Sequence, residues 1–240
     1  MKKIVLLLAA LVMVSSNGFT EEMKHEMKAQ VGKKMPTRFQ AVSLDKAMIL
    51  QEGENKMYCP KCGMTLPMFY KTNHAAHVDG KSEQYCSIHC LAETIADGGK
   101  VNGIKVVDNT TLEFIDVINS WYVVGSSKPG TMTMTSKYAF GKKDDAEKFA
   151  KEHDGKVMTF YAVLESVKST LAQESAMVQK KQAMMAQKGE IMYREMCTPV
   201  DTNFTSTADA KSYLTTQKPC GEIKGSQLQA IGLYLNSRNK

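Results

Sequence analysis

The sequence predicts an α+β fold: two small, similar β-α-β lobes followed by an all-helical C-terminal region. Three observations lead there. A strand–helix–strand pattern with glycine stops occurs twice within residues 57–165. A strongly β-prone run, Trp121-Tyr122-Val123-Val124, lies beside the second copy. From residue 166 the chain is rich in Glu, Gln, Lys, Ala and Met, with no proline through 196, a helical composition.

Residues 1–18 read as a secretory signal. Lys2 and Lys3 make a basic start, residues 4–14 are apolar, and Ser16-Asn17-Gly18 offers small residues for cleavage. The apolar run is too short to span a bilayer, which takes about 20 residues. No cysteine stands near the cleavage point for a lipid anchor. The expectation is a soluble periplasmic protein without a membrane span in its mature form. Loss of Lys2 and Lys3 takes the formal charge from +6 to +4. That mild excess, with no basic stripe interleaved with aromatics, excludes nucleic acid as a partner. Residues 19–56 form a polar leader, in which Met23, His25 and Met27 recur at every second position.

In the first repeat, residues 83–85 are a strand and Ser87 is the N-cap of a helix running to Ala96. Gly98-Gly99 ends that helix and residues 104–108 form the closing strand. Residues between the cysteine pairs, with His74 and His77, read as a loop. In the second repeat Lys137–Phe140 is the strand and residues 143–152 the helix, with Asp144 and Asp145 favoured in its first turn. Ala146, Phe149 and Ala150 supply its buried stripe. Asp154-Gly155 stops it and residues 156–161 close the unit as a strand. The helix at 166–196 has Met177 seven residues before Met184, and Met185 seven before Met192, a spacing that predicts a packing seam. Helices at 208–216 and 226–236 complete the chain.

The chemistry lies in six cysteines. Cys59-Pro60-Lys61-Cys62-Gly63 is a turn-borne pair, shaped by Pro60 and Gly63. Cys86 and Cys90 sit at the mouth of a helix, four apart and so on one face. The helix N-terminus lowers thiol pKa values there. C-x2-C, a 23-residue gap and C-x3-C is a metal-ligand spacing for zinc or copper(I). An exported chain with an even cysteine count also leaves disulfides open. Seventeen methionines are many for this length. Met64 and Met68, and then Met132 and Met134 on a Thr-rich turn-strand, favour copper(I), the softer ion. If that segment is extended, Met132 and Met134 share a face. His89 is a marginal ligand and His153 has no role. No paired carboxylates, Ser/His/Asp set or phosphate loop occurs, so an enzyme is not expected. A thiol-disulfide oxidoreductase built on Cys59 and Cys62 is disfavoured because Gly63 and Pro67 follow where a helix would be needed.

Residues 59–64, 121–125, 130–132 and 138–160 together resemble the NosL family, exported copper(I) chaperones that serve nitrous-oxide reductase. The run YAFGKKDDAEKFAKEHDGKVMTF is especially similar to that family's second lobe. The resemblance spans residues 57–165. It implies copper(I) ligation near Cys62, Met64 and Met132 with Cys59 beside them, and a copper-accepting periplasmic enzyme, or its maturation complex, as partner. Three features depart from the family: no lipidation cysteine, Thr133 in place of a glycine, and the pair Cys86 and Cys90, which resembles a YHS/TRASH metal knuckle. The full expected ligand set is Cys59, Cys62, Met64, Cys86, Cys90 and Met132, with copper(I) as the ion and zinc as a second one. The alternative is a zinc- or disulfide-stapled interaction module. Residues 166–240 resemble a class I cytochrome c whose haem motif is erased: Cys197-Thr198-Pro199-Val200-Asp201 lacks the second cysteine and the histidine. A bridge from Cys197 to Cys220 is the expected replacement.

Overall fold

In the first lobe a sheet is laid down in the order β2-β1-β3-β4, antiparallel throughout. Its strands are β1 (His74–Val78), β2 (Lys81–Tyr85), β3 (Val101–Val107) and β4 (Phe114–Asp116). Helix α1 (Ile88–Ala96) joins β2 to β3. The second lobe has β5 (Trp121–Val124) between β6 (Lys137–Phe140) and β7 (Lys156–Thr159), with α2 (Lys143–His153) joining β6 to β7. Then come α3 (Phe160–Met196), α4 (Thr207–Thr216) and α5 (Gly225–Ser237). This computed structural model describes residues 38–238; the signal segment, Met23, His25 and Met27 lie outside them.

The α+β class and both lobes stand as the sequence predicts, down to the bounds of β5 and β6. In α2, Asp144 and Asp145 occupy the first turn, and Ala146, Phe149 and Ala150 pack into one cluster with Tyr138 and Phe140. Strand β4 was not expected and β3 opens at Val101 rather than at 104; three further elements differ. The segment read as a loop around His74 and His77 is strand β1, the centre of its sheet. His74 is buried there: its Nδ1 donates to the Thr72 carbonyl (3.1 Å), and the Tyr122 hydroxyl of the second lobe donates to its Nε2 (2.8 Å). The closing strand β7 stops at Thr159, because Phe160 and Tyr161 already belong to α3. Finally, of the four α3 methionines read as a packing seam only Met192 packs against a core, and Met185 is exposed. Met177 and Met184 are exposed, while Val163, Leu164, Val167, Val178 and Tyr193 carry the buried face.

The two lobes share a core in which Ile88 and Ala92 of α1, Val106, Tyr122, Ala139 and the first turns of α3 interlock. A second core holds Tyr193 of α3, Leu214 of α4 and Leu228, Ile231 and Leu235 of α5. It also takes in Tyr58, the residue before the first cysteine. Helices α3 and α5 cross closely at Gly189, where a Cβ would fall 2.0 Å from the Ala230 carbonyl oxygen. Cys197 and Cys220 form a disulfide that ties the end of α3 to the loop before α5. Of the polar leader, the described part is tied to the lobes: Gln51 is buried, donating to the Tyr58 carbonyl and accepting from the Gln84 amide.

Candidate metal centre

The two cysteine pairs come together. The first rides on a tight reversal bounded by the Tyr58–Thr65 bridge, with the Cys59 amide donating to Met64 O (2.9 Å) and the Gly63 amide to Cys59 O (2.8 Å). Gly63 makes the reversal at φ +71°, a left-handed conformation that favours glycine. The second pair is delivered by β2, which ends one residue before Cys86, and by α1, whose first turn carries Cys90. The four sulfurs lie within 4.8 Å of one another. Cys62 and Cys86 are 3.4 Å apart and Cys86 and Cys90 3.7 Å. These separations are too long for a disulfide, at about 2.05 Å. They are close to the edge of a tetrahedron of sulfurs around one ion, about 3.8 Å for metal–sulfur bonds of about 2.3 Å. All four thiols are free, and none is more than 3% exposed. The residues therefore fit a thiophilic ion.

Four thiols in mutual contact cannot all ionise unaided. Burial works against the Cys59 thiolate, but contacts from Cys62, Cys86 and Cys90 bring it well below the ordinary thiol range. Burial, together with that neighbouring thiolate, pushes Cys86 well above it. Contacts with the other three cysteines, reinforced by burial, do the same to Cys90. One thiolate at the expense of its neighbours is what an ion-free cluster shows; a bound cation would favour the rest.

Met64 and Met132 are both half-buried and pack against the hydrophobic cluster in which the four cysteines sit with Leu66, Tyr85 and Leu91. Met132 comes from the second lobe, on an irregular segment pinned at three points. The Gln40 amide donates to the Pro129 and Gly130 carbonyls (3.0 and 3.2 Å), and the Tyr138 hydroxyl donates to Pro129 O (2.6 Å). The Thr131 hydroxyl sits 2.8 Å from that of Thr72, which itself donates to the Cys86 carbonyl (2.8 Å). The segment is not extended: Met132 has φ +67°, and Met134 turns out to solvent, 87% exposed. Met132 and Met134 therefore do not share a face. Met68 lies away from the sulfurs, along a cleft with Leu44, Met57, Leu214 and Leu228. His89 is buried but faces α3, its ring nitrogens 3.5 Å from Glu93 and 3.6 Å from Glu174. His77 meets Ser82.

The site's other wall was missed in the sequence. Helices α4 and α5 press on the first cysteine turn: Lys211 Nζ donates to Gly63 O (2.6 Å) and Gln229 Nε2 to Cys62 O (2.9 Å). One signal was present. Lys211 stands between Ala208 and Leu214 on an i, i+3 stripe, so it shares the face those apolar residues bury.

Fold and site define a class, a two-lobed α+β protein with a buried cluster of four cysteines at the first lobe. The NosL family model matches residues 51–168, just under half of the chain. Among solved structures the chain is similar to the crystal structure of the copper chaperone NosL from Shewanella denitrificans. The two are 24% identical with a TM-score of 0.37, over 52% of this chain and 94% of that one. Comparison with curated proteins gives no match.

Proposed function

We propose that this protein is an exported copper(I) chaperone that holds its cargo on sulfur and passes it to a copper-accepting periplasmic enzyme, nitrous-oxide reductase or its maturation complex. The observation that carries the reading is the convergence of Cys59, Cys62, Cys86 and Cys90 within 4.8 Å inside a NosL-family segment, with Met64 and Met132 packed against the hydrophobic cluster that contains them. Thiolate and thioether donors select a soft monovalent ion. Met132 arrives from the other lobe, so the cargo is held where the lobes meet, and a receiving protein's ligand can replace one sulfur at a time. Export is supported by the N-terminal residue pattern and by the Cys197–Cys220 disulfide, a bond typical of oxidising compartments. No helix among the described residues is long and apolar enough to cross a membrane. In this reading the chain carries copper and catalyses nothing.

A second reading, a structural zinc, is favoured by one observation: the four cysteines are fully enclosed and spaced like a closed tetrahedral site. The two separate in a transfer experiment. Protein purified without oxygen is loaded with copper(I) and mixed with apo nitrous-oxide reductase. The copper reading expects copper to move and the enzyme's copper-dependent colour to form. Retention of one tightly held zinc per chain, with no copper transfer, would instead establish the zinc reading.

A further inference from the structure

Lys211 is a buried ammonium without a buried counter-ion. It is 1% exposed. Its Nζ donates to the carbonyl of Gly63 (2.6 Å), the side-chain oxygen of Gln229 (2.8 Å) and the hydroxyl of Thr65 (3.1 Å), and it lies 4.4 Å from the centre of the Tyr58 ring. Every one of these partners is neutral. Among the described residues no carboxylate forms an ion pair with it. Enclosing a charge this way is unfavourable unless an opposite charge stands close. The slot is nevertheless built for it: a Cβ on Gly232 of α5 would fall 2.6 Å from Lys211 Cγ, so the glycine leaves the room its stem occupies. The groups whose negative charge bears on it are cysteines of the cluster. Two of the three acceptors, Gly63 and Thr65, belong to the turn that carries Cys59 and Cys62. Burial draws the ammonium's pKa down to about 7, and negative charge on the neighbouring cysteine cluster acts to restore it.

We infer that Lys211 is the built-in counter-cation of the metal–thiolate cluster, carried to it by the C-terminal helices that lie beyond the NosL-family segment. The inference rests on the metal-site reading and extends it. A monovalent ion on two thiolates leaves one net negative charge, and a divalent ion on four leaves two. A positive charge behind the cysteine turn favours both states over the ion-free thiols, and the anionic cluster in turn holds Lys211 protonated. Lys211 thus acts as a positioning and charge-balancing residue, through Gly63 and the field it sets, without touching the cargo.

The test is a competition titration on the full-length, anaerobically reduced protein. Copper(I) and, separately, Zn²⁺ are partitioned against a chromophoric chelator, alongside thermal melts of the metal-free and metal-loaded forms. Lys211→Met keeps the stem and removes the charge. It should weaken both ions at least about tenfold and leave the metal-free melting point unchanged or higher, since an uncompensated buried charge has gone. A merely structural lysine predicts the reverse: a lower metal-free melting point and unchanged affinity. A second pair of variants serves if Lys211→Met does not fold. Gln229→Glu loses the donation to Cys62 O but places a carboxylate on the ammonium and cancels its field, whereas Gln229→Met loses that donation and the acceptor for Lys211 without a new charge. Affinity should fall about tenfold with Glu and stay within about threefold of wild type with Met. Wild-type protein that binds metal while Lys211→Met and Gln229→Glu bind equally well would overturn the role of Lys211 alone. Wild-type protein that binds neither ion would overturn the metal-site reading and this inference with it.

Discussion

Replacing Gly63 by alanine probes the contact between the cysteine turn and the C-terminal helices in one atom. The added methyl would stand 2.4 Å from Thr207 Cγ2 and 2.8 Å from Thr207 Cβ, at the first turn of α4. Neither can yield freely, because Thr207 is buried where α4 meets the turn and α5. Two costs combine. A left-handed backbone at φ +71° costs a residue with a Cβ about 1–2 kcal/mol. Forcing a methyl into a filled contact costs about 1–3 kcal/mol more. The expected loss is about 3 kcal/mol, a fall in Tm of about 6–12 °C for a chain of this size. Urea unfolding of the metal-free, reduced protein measures it, with an unchanged m-value showing that the native state alone has changed. The partition is checked by repeating the substitution in a Thr207→Gly background. There the steric part vanishes and G63A should cost only the backbone part, a coupling of about 1–2 kcal/mol. Equal losses in both backgrounds would refute the reasoning, since α4 would then not rest on the cysteine turn.

Other expectations follow from the same geometry. Met132→Ala should weaken copper(I) at least about tenfold, or 1.4 kcal/mol, while Met134→Ala, at a side chain 87% exposed, should change neither affinity nor stability by more than about 0.5 kcal/mol; a competition titration of both variants decides. Burial holds His74 neutral with its pKa lowered to about 4. Between pH 6.5 and 4 the unfolded chain therefore binds a proton that the folded one refuses, and stability falls with pH across that window by about 3 kcal/mol. Urea unfolding at several pH values should show this slope in wild type and its loss in His74→Gln. Replacing Cys197 and Cys220 by serine opens a cross-link between positions 23 apart. That should cost about 3 kcal/mol, read as a lower melting point of the C-terminal helices by circular dichroism.

Much of the lobes was legible because the signals are local. Lys137–Phe140 and the helix after it are bounded by glycines and opened by Asp144 and Asp145, and the structure keeps those bounds within a residue. The cysteine spacing likewise placed four sulfurs in one site. Strand β1 was hidden because three consecutive residues, His74, Ala75 and Ala76, are all buried, which erases the two-residue alternation of a half-buried strand. His74 reads as a surface residue until the second lobe supplies Tyr122. On α3 the seven-residue methionine spacing suggested packing, but the helix has two faces at that spacing and the valines took the inner one. Met132 and Met134 were paired by an assumed extended backbone, which the left-handed turn at Met132 reverses. Lys211 was least visible, because its burial depends on the close approach of Gly63 and Gly232 from segments distant in sequence.

X-ray absorption at the copper edge of the reduced, copper(I)-loaded protein tests the central claim most directly. Sulfur scatterers at about 2.2–2.3 Å, on the scale of metal–thiolate bonds, with coordination that falls when Cys62 or Met132 is replaced, are what a thiolate–thioether site predicts. A first shell of nitrogen and oxygen alone would contradict it.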